Sequence, residues 1–233
     1  MERPPRGWPL EKCTIMPGRL SPLVTGEIYH IYNRGANRQD IFLQSRDYRR
    51  FIQTLSYYRF LGPKPKFSKF ARGTITPVQL SDDKKLVELY CYCLMPNHFH
   101  LLLKQLKDNG ILKFLGDLSN SYVKYGNTKH TRSGPLFEGR FRSVLVSSDE
   151  QFLHVSRYIH LNPLVSRLTG DLEGYRWSSY HDYMFGYSSP CSVGEVLDAF
   201  SGSTEKYRQF VYDQASYGEA LEVIKHQLLD GED

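Results

Sequence analysis

The chain has 233 residues, 40% hydrophobic and 24% charged. That is long enough for one sizeable domain with an appendage, and no apolar run is long enough to span a bilayer. The formal net charge of +5 divides unevenly, with +13 over residues 1–167 and −8 over residues 168–233. A basic body of that strength points to a polyanionic partner, and 17 tyrosines interleaved with cations suit single-stranded nucleic acid, whose bases stack on rings while its phosphates meet cations.

Residues 1–24 hold five prolines, two glycines and no periodic pattern, and read as a loose arm. They are rich in Pro, Arg and Glu rather than apolar, so no secretory signal is expected and the expected location is the cytoplasm. The four cysteines, Cys13, Cys91, Cys93 and Cys191, are expected to be reduced thiols, with Cys91 and Cys93 buried in a strand. Residues 27–32 alternate around Tyr29 and Ile31 as a first strand, followed by a donor-rich turn from Asn33 to Arg38. Ser45 is the expected cap of a helix running to about Phe60, with Phe51, Ile52, Leu55 and Tyr58 on its buried side. Residues 61–84 break the pattern in a basic loop containing Lys64, Lys66, Lys69 and Arg72.

Two strands follow, about 86–94 and 98–104, joined tightly through Met95, Pro96 and Asn97. The second opens with His98, Phe99 and His100. Alternate side chains of a strand share a face, so both imidazoles point one way while Phe99, Leu101 and Leu103 point the other. Such a pair is half a divalent-metal site or part of a packed strand, and the triplet alone does not separate the two. A helix over 110–126, a loop over 131–135 and a strand over 142–146 come next. Ser148 with Gln151 forms a capping-box pattern, and Pro163 predicts that the helix it opens stops near Asn162. On that helix Tyr158 and Asn162 are four residues apart and share a face, with His154 a turn earlier. A tyrosine beside a carboxamide is a nucleophile candidate, and equally one tyrosine among 17. Beyond lie short helices over about 193–200, 205–215 and 218–229, in an acidic segment that reads as a packing appendage, with a partner surface or a mimic occluding the basic groove as alternatives.

The order β-α-β-β-α-β with a following helix predicts an α+β, ferredoxin-like antiparallel sheet with helices on one face, plus a mostly helical C-terminal appendage. The expected division is an arm over 1–24, a main domain over 25–167 and the acidic appendage over 168–233.

Six blocks carry a family resemblance. They are residues 29–35 (YHIYNRG), 93–102 (CLMPNHFHLL), 121–127 (SYVKYGN), 134–143 (GPLFEGRFRS), 158–163 (YIHLNP) and 175–180 (YRWSSY). Together they resemble the single-tyrosine HUH transposases, in particular the REP-associated tyrosine transposases, over about residues 26–183. The resemblance implies that His98 and His100 bind a divalent metal, Mg²⁺ or Mn²⁺ with Zn²⁺ as an alternative, and that Asn162 supplies the third protein ligand. It implies that Tyr158 attacks a phosphodiester of single-stranded or hairpin DNA, forming a 5′-phosphotyrosine. Arg34, Arg38, Arg140 and Arg142, with Lys124, are the implied grips on DNA. A bacterial, nucleoid-associated protein acting as monomer or homodimer is the matching expectation. Two rivals use the same fold without this chemistry: a catalytically silent DNA-binding protein, and an RNA-binding protein.

Overall fold

The protein is described by a computed structural model covering residues 22–62, 67–70, 82–186 and 190–213. Four strands form the sheet: β1 (Ile28–Arg34), β2 (Val87–Met95), β3 (His98–Gln105) and β4 (Arg142–Val146). Their order is β2-β3-β1-β4, with every pairing antiparallel. Between the strands lie α1 (Ser45–Tyr58), the single turn α2 (Phe67–Phe70) and α3 (Gly110–Lys129). After β4 come α4 (Asp149–Val165), α5 (Tyr180–Phe185), α6 (Val193–Leu197) and α7 (Thr204–Tyr212). This is the ferredoxin-like α+β arrangement with a helical C-terminal appendage. No helix among the described residues is long and apolar enough to cross a membrane.

The alternation along the strands divides the molecule into two layers. Tyr29 and Ile31 of β1, Leu89, Tyr92 and Leu94 of β2, and Phe99, Leu101 and Leu103 of β3 pack against Phe51 and Leu55 of α1 and Phe114, Leu118 and Tyr122 of α3. On the other face Tyr90, Cys91, Cys93 and Met95 meet α4 and the C-terminal helices through Ile159, Leu161, Tyr180, Tyr183 and Tyr207. Tyr90 and Cys91 share that layer, despite being adjacent, because the β2–β3 register shifts between Leu89 and Cys91. Cys91 and Cys93 are buried and free, as their sequence context implies.

The facing of β3 is strongly fixed. Phe99 is buried with its ring 5.1 Å from that of Phe51. Emptying such a site costs about 3–5 kcal/mol. A slip by one residue would bury the imidazoles in the apolar layer and expel Phe99, Leu101 and Leu103.

Backbone bonds tie the donor-rich turn to the β2–β3 hairpin. Gly35 N donates to Asn97 O at 2.7 Å, while Ile41 N and Phe42 N both donate to Pro96 O, at 2.8 and 3.0 Å. A Cβ at Gly35 would run into the Gln39 carbonyl, so only glycine lets the turn close this tightly.

Several boundaries differ from the sequence expectation. The cap of α1 is Gln44 rather than Ser45, because Gln44 and Asp47 exchange side-chain and backbone bonds across the first turn. α3 runs three residues further than expected, to Lys129. α4 continues through Pro163 instead of stopping at Asn162. It ends in a Schellman motif in which Leu168 N bonds Pro163 O at 2.9 Å and Arg167 N bonds Leu164 O at 3.0 Å, with Arg167 left-handed at φ 55°. Proline loses its own amide donor and crowds the carbonyl four residues back, and α4 absorbs both within its last turn. α5, for which no helix was expected, starts at Tyr180, the last residue of the 175–180 block. The expected arm over 1–24 (but for its last three residues), most of the basic loop and the helix over 218–229 lie outside the described residues.

Asp47 joins α1 to α3. Its buried carboxylate accepts from Lys129 Nζ at 2.7 Å, Tyr125 Oη at 2.9 Å, and the Leu43 and Gln44 amides at 3.0 Å. Burial works to raise its pKa, but these donors outweigh it and hold the carboxyl below the usual range. The folded pKa is depressed, so the stabilisation is present above the ordinary carboxylate range and is lost as pH falls through the folded value. Asp47→Ala is expected to cost about 2–4 kcal/mol in a urea unfolding titration at pH 7, with a smaller deficit at acid pH.

Candidate active site

The β1–β3 register sets Tyr32 opposite His100 and Arg34 opposite His98. The face away from Phe99 therefore carries His30 and Tyr32 beside His98 and His100. The His98 and His100 rings are perpendicular with centroids 5.0 Å apart, and His30 stacks on His100 at 5.1 Å. His30 and His100 are buried, and His98 is half-buried. His98 Nδ1 lies 2.6 Å from Asn97 Oδ1, and His100 Nδ1 lies 2.9 Å from His30 Nε2. Burial lowers the His30 pKa to about 4, so that ring is neutral at pH 7.

Tyr158 reaches the cluster from α4. Its ring sits edge-on to His100 at 5.5 Å and to His30 at 5.7 Å. Asn162, one turn on, is buried, and its Nδ2 donates to the Tyr158 carbonyl at 2.7 Å. That bond commits the amide nitrogen to the helix and leaves Oδ1 as the only donor atom a cation could use. Two imidazoles and one carboxamide oxygen fit a divalent-cation site of mixed nitrogen and oxygen donors. Among the described residues no cluster of three or more His, Cys, Asp or Glu is arranged to hold a metal.

A buried polar network holds α4. His160 Nδ1 pairs with Tyr207 Oη at 2.8 Å and its Nε2 with Ser179 Oγ at 2.9 Å. Tyr207 Oη also donates to Ser156 Oγ at 3.1 Å, and Ser179 Oγ accepts from Tyr92 N at 2.9 Å. Arg157 adds a bond to Phe210 O at 3.1 Å and lies 4.1 Å above the Phe210 ring. The nucleophile candidate thus stands on a helix clamped between the sheet and the C-terminal helices. Ser148 Oγ caps α4 by accepting from Gln151 N at 3.1 Å, but the Gln151 side chain accepts from Ser147 N rather than closing the box on Ser148.

A cleft beside the histidines is lined by Tyr32, Asn33, Arg34, Glu138, Arg140 and Arg142. Arg34 Nε and Nη2 grip both Glu138 oxygens, and that pairing, with Arg142 and Arg38 near, lowers the Glu138 pKa. Tyr32 closes one side of the cleft and lies 6.0 Å from His100, so cleft and histidines are continuous. Three of the five cations anticipated from sequence line this cleft. Arg38 stands in the adjoining turn, its carbonyl bonded by Asn97 Nδ2 at 3.2 Å. Lys124 is exposed on α3, in the layer across the sheet.

The sequence singles out His98, His100, Tyr158 and Asn162; the structure adds His30, stacked on His100, and the Ser179–His160–Tyr207 network. The alternation of Tyr29, His30 and Ile31 already put His30 on the histidine face. What was lacking was the register between β1 and β3.

No protein-family model and no curated protein matches the chain. A solved structure of a REP-associated tyrosine transposase bound to a REP hairpin superposes on it with a TM-score of 0.52 at 14% identity, covering 78% of this chain and 93% of that one. At that identity the likeness shows a shared fold.

Burial lowers the His160 pKa to about 3, against about 6.5 for an unfolded histidine. Between those values the unfolded chain binds a proton that the folded chain does not, so stability rises with pH by ~1.4 kcal/mol per unit for this group. Unfolding free energies from pH 6.5 down to 4 should show that slope, and His160→Gln should remove about one proton's worth of it.

Proposed function

We propose that the protein is a metal-dependent single-stranded DNA nicking and joining enzyme of the REP-associated tyrosine transposase type, acting on hairpin-forming repeats. The observation that carries this reading is the edge-on placement of Tyr158 against His100 and His30 within one chain. The shared fold and the arginine-lined cleft support it.

In this reading His98 and His100 hold a divalent cation through Nε2, with Asn162 Oδ1 as the third protein donor, and Mg²⁺, Mn²⁺ and Zn²⁺ are all compatible with that set. The bound cation supplies charge neutralisation at the scissile phosphate. Tyr158 Oη attacks phosphorus, a P–Oη bond forms, and the P–O3′ bond breaks with the 3′ oxygen leaving as a hydroxyl. The phosphoester is conserved as a 5′-phosphotyrosine, so a second 3′-OH can reverse the step and join strands. Arg34, Arg140 and Arg142 track the adjoining phosphates, and Tyr32 offers a face for base stacking. The clamp on α4 holds the tyrosine over histidines of its own chain, which suits action by a single chain.

Incubated with hairpin DNA carrying a single-stranded flank and Mn²⁺, the wild type should form an adduct that survives a denaturing gel, and Tyr158→Phe should form none. Equal nicking by both leaves a metallonuclease in which water attacks, and none by either leaves a binding protein. Arg140→Ala and Arg142→Ala should each weaken binding and reduce the salt dependence of log K by about 0.7–1. Lys124→Ala, across the sheet, should leave both unchanged in the same titration.

A further inference from the structure

Asn97 provides a fixed reference for the protons of the histidine cluster. Its Nδ2 donates to the Arg38 carbonyl at 3.2 Å, so the atom facing His98 Nδ1 at 2.6 Å is Oδ1. An amide oxygen only accepts. His98 therefore carries its proton on Nδ1, and its lone pair is on Nε2, the form a metal ligand requires.

His100 has the same need but a different partner. Its Nδ1 lies 2.9 Å from Nε2 of His30, in rings only 20° from parallel. With both rings neutral, one nitrogen donates and the other accepts. If His30 donates, the His100 proton sits on Nε2 and that ring cannot ligate. If His100 donates, His30 carries its own proton on Nδ1, and His100 turns an Nε2 lone pair outward. His30 is 3% exposed, so water does not compete for this bond.

We propose that His30 is a positioning residue: it accepts the Nδ1 proton of His100, so that His100 and His98 present matched Nε2 lone pairs to one divalent cation. This rests on the metal-dependent reading above. It assigns His30 a role behind the ligand set rather than within it, since its Nε2 is committed to His100. A histidine side chain left to itself favours the proton on Nε2, so His100 needs an acceptor at Nδ1 that Asn97 cannot supply. Partners of this kind orient a ligating ring and raise its basicity, and their loss typically weakens metal binding about 10–100-fold.

The test is long-range ¹H–¹⁵N NMR of the metal-free, DNA-free full chain labelled on histidine, followed by calorimetric titration with Mn²⁺ and Zn²⁺. In the wild type His100 is expected to carry its proton on Nδ1. In His30→Phe, which fills the space without accepting, the proton should move to Nε2 and affinity should fall about tenfold or more. His30→Gln, whose Oε1 can accept in place of Nε2, should keep the wild-type tautomer and most of the affinity, and it keeps the test usable if the Phe variant does not fold. A wild-type His100 protonated on Nε2 overturns the proposal, as does unchanged affinity in His30→Phe. Equal abolition of binding by Phe and Gln also overturns it, by making His30 a ligand. The tautomer is read without metal or DNA, so absence of a covalent adduct would sink the transferase reading while leaving this result standing.

Discussion

The facing of one strand decides where the histidine cluster can sit. Phe99, Leu101 and Leu103 are held in the layer built by α1 and α3. The period-two geometry of β3 then leaves His98 and His100 no direction but the opposite one. The aromatic contacts behind Phe99, with Phe51 at 5.1 Å and Phe137 at 5.9 Å, make the alternative facing costlier than the whole net stability of a typical domain could absorb alongside its other losses. The imidazoles are thus positioned by apolar packing on a face they do not touch. The antiparallel neighbour β1 adds His30 and Tyr32 to the same surface by register alone.

The two layers differ in how they handle polar groups. On the α1/α3 side one buried carboxylate, Asp47, is met by five donors, Lys129 among them, and ties two helices together. On the α4 side a chain of neutral groups runs through His160, Ser179 and Tyr207, and the one buried cation of α4, Arg157, is met by the Phe210 carbonyl and ring. Neutral partners avoid the desolvation cost of an ion pair while still fixing direction. Tyr158 and His160 are two residues apart and point to nearly opposite sides of their helix. One side of α4 can therefore be anchored on the C-terminal helices while the other presents a phenol to the histidines.

The fold was legible because the apolar periods are strong. The alternation around Tyr29 and Ile31 in β1 and around Phe99 in β3, and the helical spacing of Phe51, Ile52, Leu55 and Tyr58, each specify an element, and the order of elements specifies the sheet. Boundaries were less legible where capping depends on long-range partners. Gln44 displaces Ser45 as a cap because Asp47 is locked by Lys129 and Tyr125 of α3, far along the chain. Pro163 fails to stop α4 because the left-handed Arg167 closes the helix later. The pairs of the site follow the same rule. His98 with His100 and Tyr158 with Asn162 are local spacings and can be seen in the sequence, whereas His30 with His100 is 70 residues apart and depends on register. The Tyr207–His160 contact, across 47 residues, has no sequence signature at all.

The charge asymmetry takes on a different meaning once placed in the fold. An acidic appendage folded over a basic groove would quench it. Among the described residues, however, part of that segment packs on the far edge of the sheet and part of it pairs within itself. Glu195 accepts from Tyr90 of β2 at 3.0 Å, Ser192 bonds Glu88 of the same strand, and Glu173 pairs with Arg208 at 3.2 Å. The arginine-lined cleft belongs to β1 and β4, at the other end of the order β2-β3-β1-β4. Three strand spacings separate β2 from β4, roughly 14 Å at about 4.8 Å each. That exceeds the screening length of about 8 Å at physiological salt, so the acids at β2 act on the cleft weakly. The acids that contact β2 therefore do not cancel the basic surface of the cleft, whose lining sets Arg34, Arg140 and Arg142 against the carboxylate of Glu138.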